Sequence, residues 1–386
     1  MKVNKEGLID FKLSGEFINE IFDGMHDWVR VIDLDDNIVY MNRAMSEGLK
    51  LARTGMKCYT AVGRESPCEN CVSRQAILDG RPQLKEEVIN DRTFSVMSSP
   101  LKDKSGETLA VIEVLRDITE MKKLQERVME QNRKLQEDLS IAKKLQSSLL
   151  PKEQPDDRIG FFYCYKPCEA LGGDFFDLFR IDGNHIGVYV ADVSGHGVPA
   201  SMLTVFLHSS INRRTLSPAE ALVELYKEFN KYNFSYGMYI TVFYAILDLA
   251  APAMTFSNAG HNTCPVIISR DMLMPLQLSG IPISNWVKNP EYRDEQVPLE
   301  YGDRIFLYTD GISELRNLEN EQFGQERIQK ILRNCISGPE NIFDVIIKKA
   351  CAHAGIKDIA EIPDDITMML LQIKKDNVIG TFGQGG

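Results

Sequence analysis

Four aspartates set in short turns carry the chemistry legible in this chain. They are Asp174 in Leu171-Gly172-Gly173-Asp174-Phe175-Phe176-Asp177, Asp192 in Ala191-Asp192-Val193-Ser194-Gly195-His196-Gly197, Asp310 in Tyr308-Thr309-Asp310-Gly311, and Asp364 in Pro363-Asp364-Asp365-Ile366-Thr367. Apolar β-type runs at 186–190, 305–308 and 366–371 adjoin three of them, so a rigid sheet can bring carboxylates together from distant sequence. Converged carboxylates need a counter-charge, and hard oxygen donors select Mg²⁺ or Mn²⁺ over zinc. Two such ions about 4 Å apart can clamp a phosphoryl group and lower the pKa of a water, so no nucleophilic side chain is required. The chain has no Gly-x4-Gly-Lys-Ser/Thr phosphate loop. Glycines beside the aspartates permit close backbone approach, and Val193 could offer a carbonyl ligand.

The elements that must position these residues fall in the last two thirds of the chain. Strands are predicted at 160–165, 174–181, 185–192, 239–248, 253–259, 266–269, 303–309 and 366–373, and helices at 200–213, 218–233, 325–335 and 341–354. Antiparallel-type strands with two blocks of paired helices predict an αββα sandwich over 151–375, within an overall α+β chain. Residues 376–386 are polar and Gly-rich and are expected to be disordered.

Upstream, 15–120 alternates short helical and strand signals. Phe17, Ile18, Ile21 and Phe22 have helical spacing, strands are predicted at 28–33 and 38–42 around the turn Asp35-Asp36-Asn37, and a meander follows at 85–89, 93–99 and 109–116. Residues 121–150 are charged and free of Gly and Pro, with apolar residues at Met121, Leu124, Val128, Leu135, Leu139, Ala142, Leu145 and Leu149. That stripe predicts a helix serving as an imperfect two-stranded coiled coil, weakened by Gln131 and Asp138 and ended at Pro151; a lone amphipathic helix packed on its own domain is the other reading.

A formal charge of −11 over 386 residues argues against a nucleic-acid partner. No stretch approaches the roughly 18 apolar residues of a membrane span, so a cytoplasmic location without a membrane partner is expected. Of eight cysteines, Cys164, Cys168, Cys264, Cys335 and Cys351 are scattered and expected to be small buried hydrophobes. Cys58, Cys68 and Cys71 cluster, one thiolate short of a structural zinc site; sensing thiols and inert thiols both remain open.

The strand–turn–strand ending Tyr40-Met41-Asn42-Arg43-Ala44 and the closing Arg116-Asp117-Ile118-Thr119-Glu120 resemble the PAS family over about a hundred residues. Such domains often hold a ligand, here unknown, and His26 is the one histidine in the segment available to a haem. Together Gly172-Gly173-Asp174, Asp192 to Gly197, Asn258-Ala259-Gly260-His261-Asn262, Tyr308 to Gly311 and Asp364 to Thr367 resemble the metal-dependent serine/threonine phosphatases, in particular their SpoIIE-like and RsbU-like branch. The segment Gln146 to Pro151 is similar to the one preceding that domain. The resemblance implies two Mn²⁺ or Mg²⁺ ions. Asp192 would bridge both, Asp310 and Asp364 would complete one site, and Asp174 with the Val193 carbonyl would hold the other. Catalysis would run through water activated at Asp192, Asp310 and Asp364. Asp177 would assist or only stabilise its turn, and Asp365 is read as a turn residue. His196 is expected to be structural or to contact substrate, and His261 to shape a hairpin; nothing clearly matches the phosphate-binding arginine of eukaryotic relatives. The implied substrate is phosphoserine or phosphothreonine on a partner protein, most often an anti-sigma-factor antagonist, with a homodimeric, sensor-regulated enzyme as the working unit.

Three rivals are weighed. Phe175 replaces the acid that a diguanylate cyclase hairpin needs, and the helical linker has no histidine for a sensor kinase. A catalytically silent pseudophosphatase adaptor would have lost at least one of the four aspartates, and all are present.

Overall fold

The computed structural model describes residues 15–375 except 52–53, 233, 235–236, 271 and 335–340; the tail 376–386 and Cys335 lie outside the described residues. The chain divides into two units between Lys134 and Leu135.

In the first unit the elements are α1 (Gly15–Asp23), β1 (Trp28–Asp33), β2 (Ile38–Met41), α2 (Arg43–Leu49), α3 (Cys58–Ala61), α4 (Val72–Asp79), β3 (Gln83–Ile89), β4 (Arg92–Lys102) and β5 (Thr108–Asp117). The strands form one antiparallel sheet in the order β2-β1-β5-β4-β3. Local chemistry fixes its turns. Asp33 accepts from the backbone and side chain of Asn37, at 2.7 and 2.9 Å, while Asp36 takes the left-handed conformation that Asp tolerates. Asn42 caps α2 through Met45 N–H and also accepts from Val29 N–H, tying the helix to β1. Trp28, Phe94, Val96 and Leu115 form the core, into which the Arg30–Glu113 ion pair is also buried.

Helix α5 (Thr119–Leu149) is 31 residues long, or about 45 Å at 1.5 Å per residue. Met121, Leu124, Val128, Leu135 and Leu145 of its predicted stripe are each more than half exposed. The helix is therefore as expected.

The second unit contains β6 (Ile159–Lys166), β7 (Asp174–Arg180), β8 (His185–Val193), α6 (Gly197–Ser210), α7 (Pro218–Lys231), β9 (Ile240–Asp248), β10 (Ala253–Ala259), β11 (Val266–Ile268), β12 (Leu273–Pro275), β13 (Glu295–Pro298), β14 (Arg304–Tyr308), α8 (Asp310–Ser313), α9 (Gln325–Asn334), α10 (Asn341–Ala354), a 3₁₀ turn (Ile359–Glu361) and β15 (Ile366–Ile373). Two five-stranded antiparallel sheets result, β13-β10-β9-β8-β7 and β12-β11-β14-β15-β6. Strand periodicity builds the layers. Ile305 and Leu307 of β14, with Met369 and Leu371 of β15, enter the core shared by both sheets, whereas the alternating Phe306, Tyr308, Met368 and Leu370 pack under α9 and α10. Helices α6 and α7 cover the first sheet. Strands β8 and β9, buried on both faces, read accordingly as continuous apolar runs.

Candidate metal centre

The two sheets place their acidic turns at one shared end. Asp174 opens β7 directly opposite Asp192 near the end of β8. From the other sheet, Thr309 and Thr367 lie beside each other where β14 ends and β15 begins, and both hydroxyls donate to Asp174 Oδ2, at 2.6 and 2.7 Å. Asp310 starts α8 immediately after Thr309 and accepts from the Asn262 side chain at 2.6 Å.

Asp365 is more than a turn residue. Its buried carboxylate accepts from Cys168 N–H at 2.7 Å, Gly173 N–H at 2.5 Å and Asp174 N–H at 3.3 Å, holding the Gly172-Gly173-Asp174 loop of one sheet onto the leading end of β15 in the other. A carboxylate collecting several backbone donors is a strong, charge-assisted clamp. The glycine at 173 follows from the same crowding. A Cβ there would lie 2.9 Å from the Gly195 carbonyl oxygen and 3.0 Å from that of Val193. A side chain would thus cover the carbonyl proposed as a ligand.

Electrostatics single out the same group. Burial pushes Asp192 up to about 8, reinforced by repulsion from Asp310, Asp364, Asp365 and Glu314. Asp174 is raised well above the carboxylate range by burial, then by Asp192 and Asp365, against the two threonine hydroxyls. Asp364 is raised too, chiefly by burial, with Asp310, Asp365 and Glu314 adding to it. Among the described residues no three His, Cys, Asp or Glu side chains are already drawn into a ligand cage. The donor set nevertheless fits hard divalent cations: mutually repelling carboxylates, an adjacent backbone carbonyl and no nitrogen or sulfur among them.

Asp177 does not join this group. Side chains alternate along β7, so Asp174 and Phe176 face the other sheet, where Phe176 meets the rings of Phe161, Tyr163 and Tyr165, while Asp177 faces α6. Its carboxylate pairs with Arg213 at 2.5 Å, near His208 at 4.0 Å. Asp177 is thus a buried ion-pair partner set apart from the four aspartates. His196 is exposed and pairs through Nδ1 with Glu169 at 2.7 Å. His261 is buried between the Thr241 hydroxyl and the Tyr308 carbonyl, and burial lowers its pKa, which suits a neutral structural imidazole.

Glu314, Asn262, Thr309 and Thr367 were not singled out in the sequence. The threonines and Asn262 sit inside the quoted motifs, and Glu314 follows Asp310 by four residues, one helical turn on. In the first unit Cys58 is buried, with its thiol pushed up to about 11 by that burial, and Cys68 Sγ accepts from Arg64 at 2.9 Å. Cys58, Cys68 and Cys71 are all free thiols.

Two stacked sheets with helices outside, and oxygen donors gathered where strands of both sheets end, define a PP2C-type phosphatase fold. The SiaA PP2C domain of Pseudomonas aeruginosa superposes with a TM-score of 0.55 at 22% identity, covering 62% of this chain and 98% of that domain. Residues 182–374, half of the chain, match the family described as Stage II sporulation protein E (SpoIIE), and the chain belongs to that family. Residues 22–123 match the PAS fold. Phosphoserine phosphatase RsbU of Bacillus subtilis (strain 168) is 26% identical over 250 residues, 62% of this chain and 71% of RsbU. Phosphoserine phosphatase RsbP of the same organism is 26% identical over 182 residues, and the chain spans less than half of its length. Among the described residues no helix is long and apolar enough to cross a membrane.

Proposed function

We propose that this protein is a metal-dependent phosphatase acting on phosphoserine or phosphothreonine of a partner protein. The observation that carries the reading is the meeting of Asp174, Asp192, Asp310 and Asp364 at one end of the two sheets, with Asp192 raised by burial and then by its acidic neighbours. Asp192, Asp310 and Asp364 would hold one Mg²⁺ or Mn²⁺ ion, and Asp174, Asp192 and the Val193 carbonyl a second. Divalent cations in such a donor set neutralise phosphoryl charge and bring the pKa of water toward neutrality. The chain's own contribution is positioning. Asp365 clamps the Asp174 loop, Thr309 and Thr367 orient the Asp174 carboxylate, and Asn262 orients that of Asp310.

The similarity to RsbU and RsbP, two phosphoserine phosphatases, supports phosphoserine as the target group, and an anti-sigma-factor antagonist, as the sequence resemblance implies, is the proposed partner. Control would pass through α5. Gln146 near its end donates to the Gly172 carbonyl at 2.8 Å and to the Thr204 hydroxyl at 3.0 Å, and its own oxygen accepts from Gly172 N–H. A change in the set of α5 would therefore reach the loop that carries Asp174, with the PAS fold as the sensor and two copies of the α5 stripe as the dimer seam.

The test is a Mn²⁺ and Mg²⁺ titration of turnover on a phosphorylated antagonist. Asp192→Ala and Asp310→Ala should each lose about a hundredfold or more in kcat. Turnover independent of metal, or undiminished in both variants, removes the mechanism; binding of the phosphoprotein with no turnover at any metal concentration favours the silent adaptor.

A further inference from the structure

Between α9 and α10 lies a cleft of about 480 Å³ with cations on its walls and, among the described residues, no acidic side chain in its lining. In a chain with a formal charge of −11 such a surface is unexpected. Arg327 and Lys330 come from α9, Lys349 and His353 from α10, over Phe323 and Ile331. Two of these four side chains are held in place. The Arg327 guanidinium donates to the carbonyls of Gln322 and Phe323 at 2.9 and 2.8 Å, and the His353 ring lies 3.0 Å from the Glu321 carbonyl and 5.6 Å from the Phe323 ring. Lys330 and Lys349 are exposed on facing helices, and neither is ion-paired among the described residues. Three cationic side chains presented together, Arg327, Lys330 and Lys349, form a field that favours carboxylates.

The cleft adjoins the metal centre through a single chain segment. Gln322, Gly324 and Gln325 line a small cleft that also contains Asp310 and Glu314, while Phe323, between them, lines the basic cleft. Gln325 also donates to the Asn262 carbonyl, beside the Asp310 partner. Lys330 lies five residues along α9 from Gln325, about 7.5 Å of helix axis.

We propose that the cleft between α9 and α10 docks an acidic stretch of the phosphoprotein substrate, its Asp or Glu side chains flanking the phosphorylated residue. This rests on the phosphatase reading and adds the substrate feature and the direction in which the segment lies. The reversed orientation would instead bring the carboxylates toward Glu314.

The experiment uses the full chain with Mn²⁺ and two phosphoserine peptides of one length, one with flanking aspartates and one with asparagines in their place. The wild type should favour the acidic peptide by about tenfold in kcat/KM, through KM, with the ratio shrinking as salt rises. Lys330→Glu with Lys349→Glu should bring the ratio to about one or below, and the Gln pair should fall between. Equal handling of the two peptides by the wild type, or a preference that survives the double reversal, overturns the proposal. Hydrolysis of p-nitrophenyl phosphate by the wild type checks the underlying reading separately. If that activity is absent, fluorescence anisotropy with the same peptides decides the cleft: tighter binding of the acidic peptide that depends on Lys330 and Lys349 supports it, and equal binding or displacement by inorganic phosphate alone overturns it.

Discussion

At the scale of single residues, neighbouring aspartates do different work, and the difference lies in which groups their carboxylates face. Asp364 meets other acids, whereas Asp365 meets backbone N–H groups whose residues stand 191 to 197 positions away. Sequence spacing has no access to such partners, which is why Asp365 reads as a turn residue. Asp365→Asn should cost about 2 kcal/mol, since an amide turns a donor toward some of those N–H groups. It should also weaken Mn²⁺ stimulation, because the Asp174 loop loses its clamp; thermal unfolding and a metal titration measure the two effects. Asp177 makes the opposite point, since period-two alternation from Asp174 already puts it on the other face of β7, and the motif obscured that pattern. Asp177→Asn should leave the metal concentration for half-maximal activity within about twofold while lowering stability by no more than about 1 kcal/mol, since Arg213 is about a third exposed and burial already raises the Asp177 pKa against the pair. A large shift in metal requirement with intact stability would restore Asp177 to the metal centre.

At the scale of elements, the sequence was most readable where burial is two-sided and the run is long. The predicted strands at 253–259 and 366–373 coincide with β10 and β15, and β8 and β9 differ from their predicted limits by one residue. Edge strands β12 and β13, of three and four residues, escape because so short a run has no periodicity to detect. Helix α8 is a single turn whose four residues include Gly311, a poor helix former required by space rather than propensity. A Cβ at 311 would meet the Asp365 carbonyl oxygen at 2.0 Å, so Gly311→Ala should displace the Asp310 turn and reduce turnover about a hundredfold, read as kcat at saturating Mn²⁺. Helix α5 was legible as a helix, and the grip of Gln146 on Gly172 and Thr204 was not, because a buried polar contact leaves no mark on hydropathy. Gln146→Ala strips partners from buried groups and should cost about 2 kcal/mol while uncoupling activity from the PAS unit; unchanged coupling, compared between full-length wild type and variant, would return α5 to the role of spacer.

At the scale of the whole molecule, two units with separate cores should unfold separately, and the chain has a natural reporter for each. Of its two tryptophans, Trp28 is buried in the PAS core and Trp286 lies half-exposed against Tyr239 in the phosphatase unit. The PAS unit has a built-in acid weakness. Burial alone would raise the Glu113 pKa, but Arg30 at 2.7 Å with the Ser73 and Ser98 hydroxyls outweighs it, so the folded value lies below the ordinary 4.5. A depressed carboxylate pKa stabilises fully above the unfolded value, and that contribution fades as pH falls toward and through the folded one. Trp28 fluorescence, followed in a Trp286→Phe background, should therefore report a steepening loss of PAS stability below about pH 4.5. Glu113→Gln should flatten that acid limb while costing about 3 kcal/mol at neutral pH, since Arg30 is left buried without its counter-ion. Retention of the full acid limb in the variant would transfer the sensitivity to other carboxylates of the unit and remove Glu113 as its source.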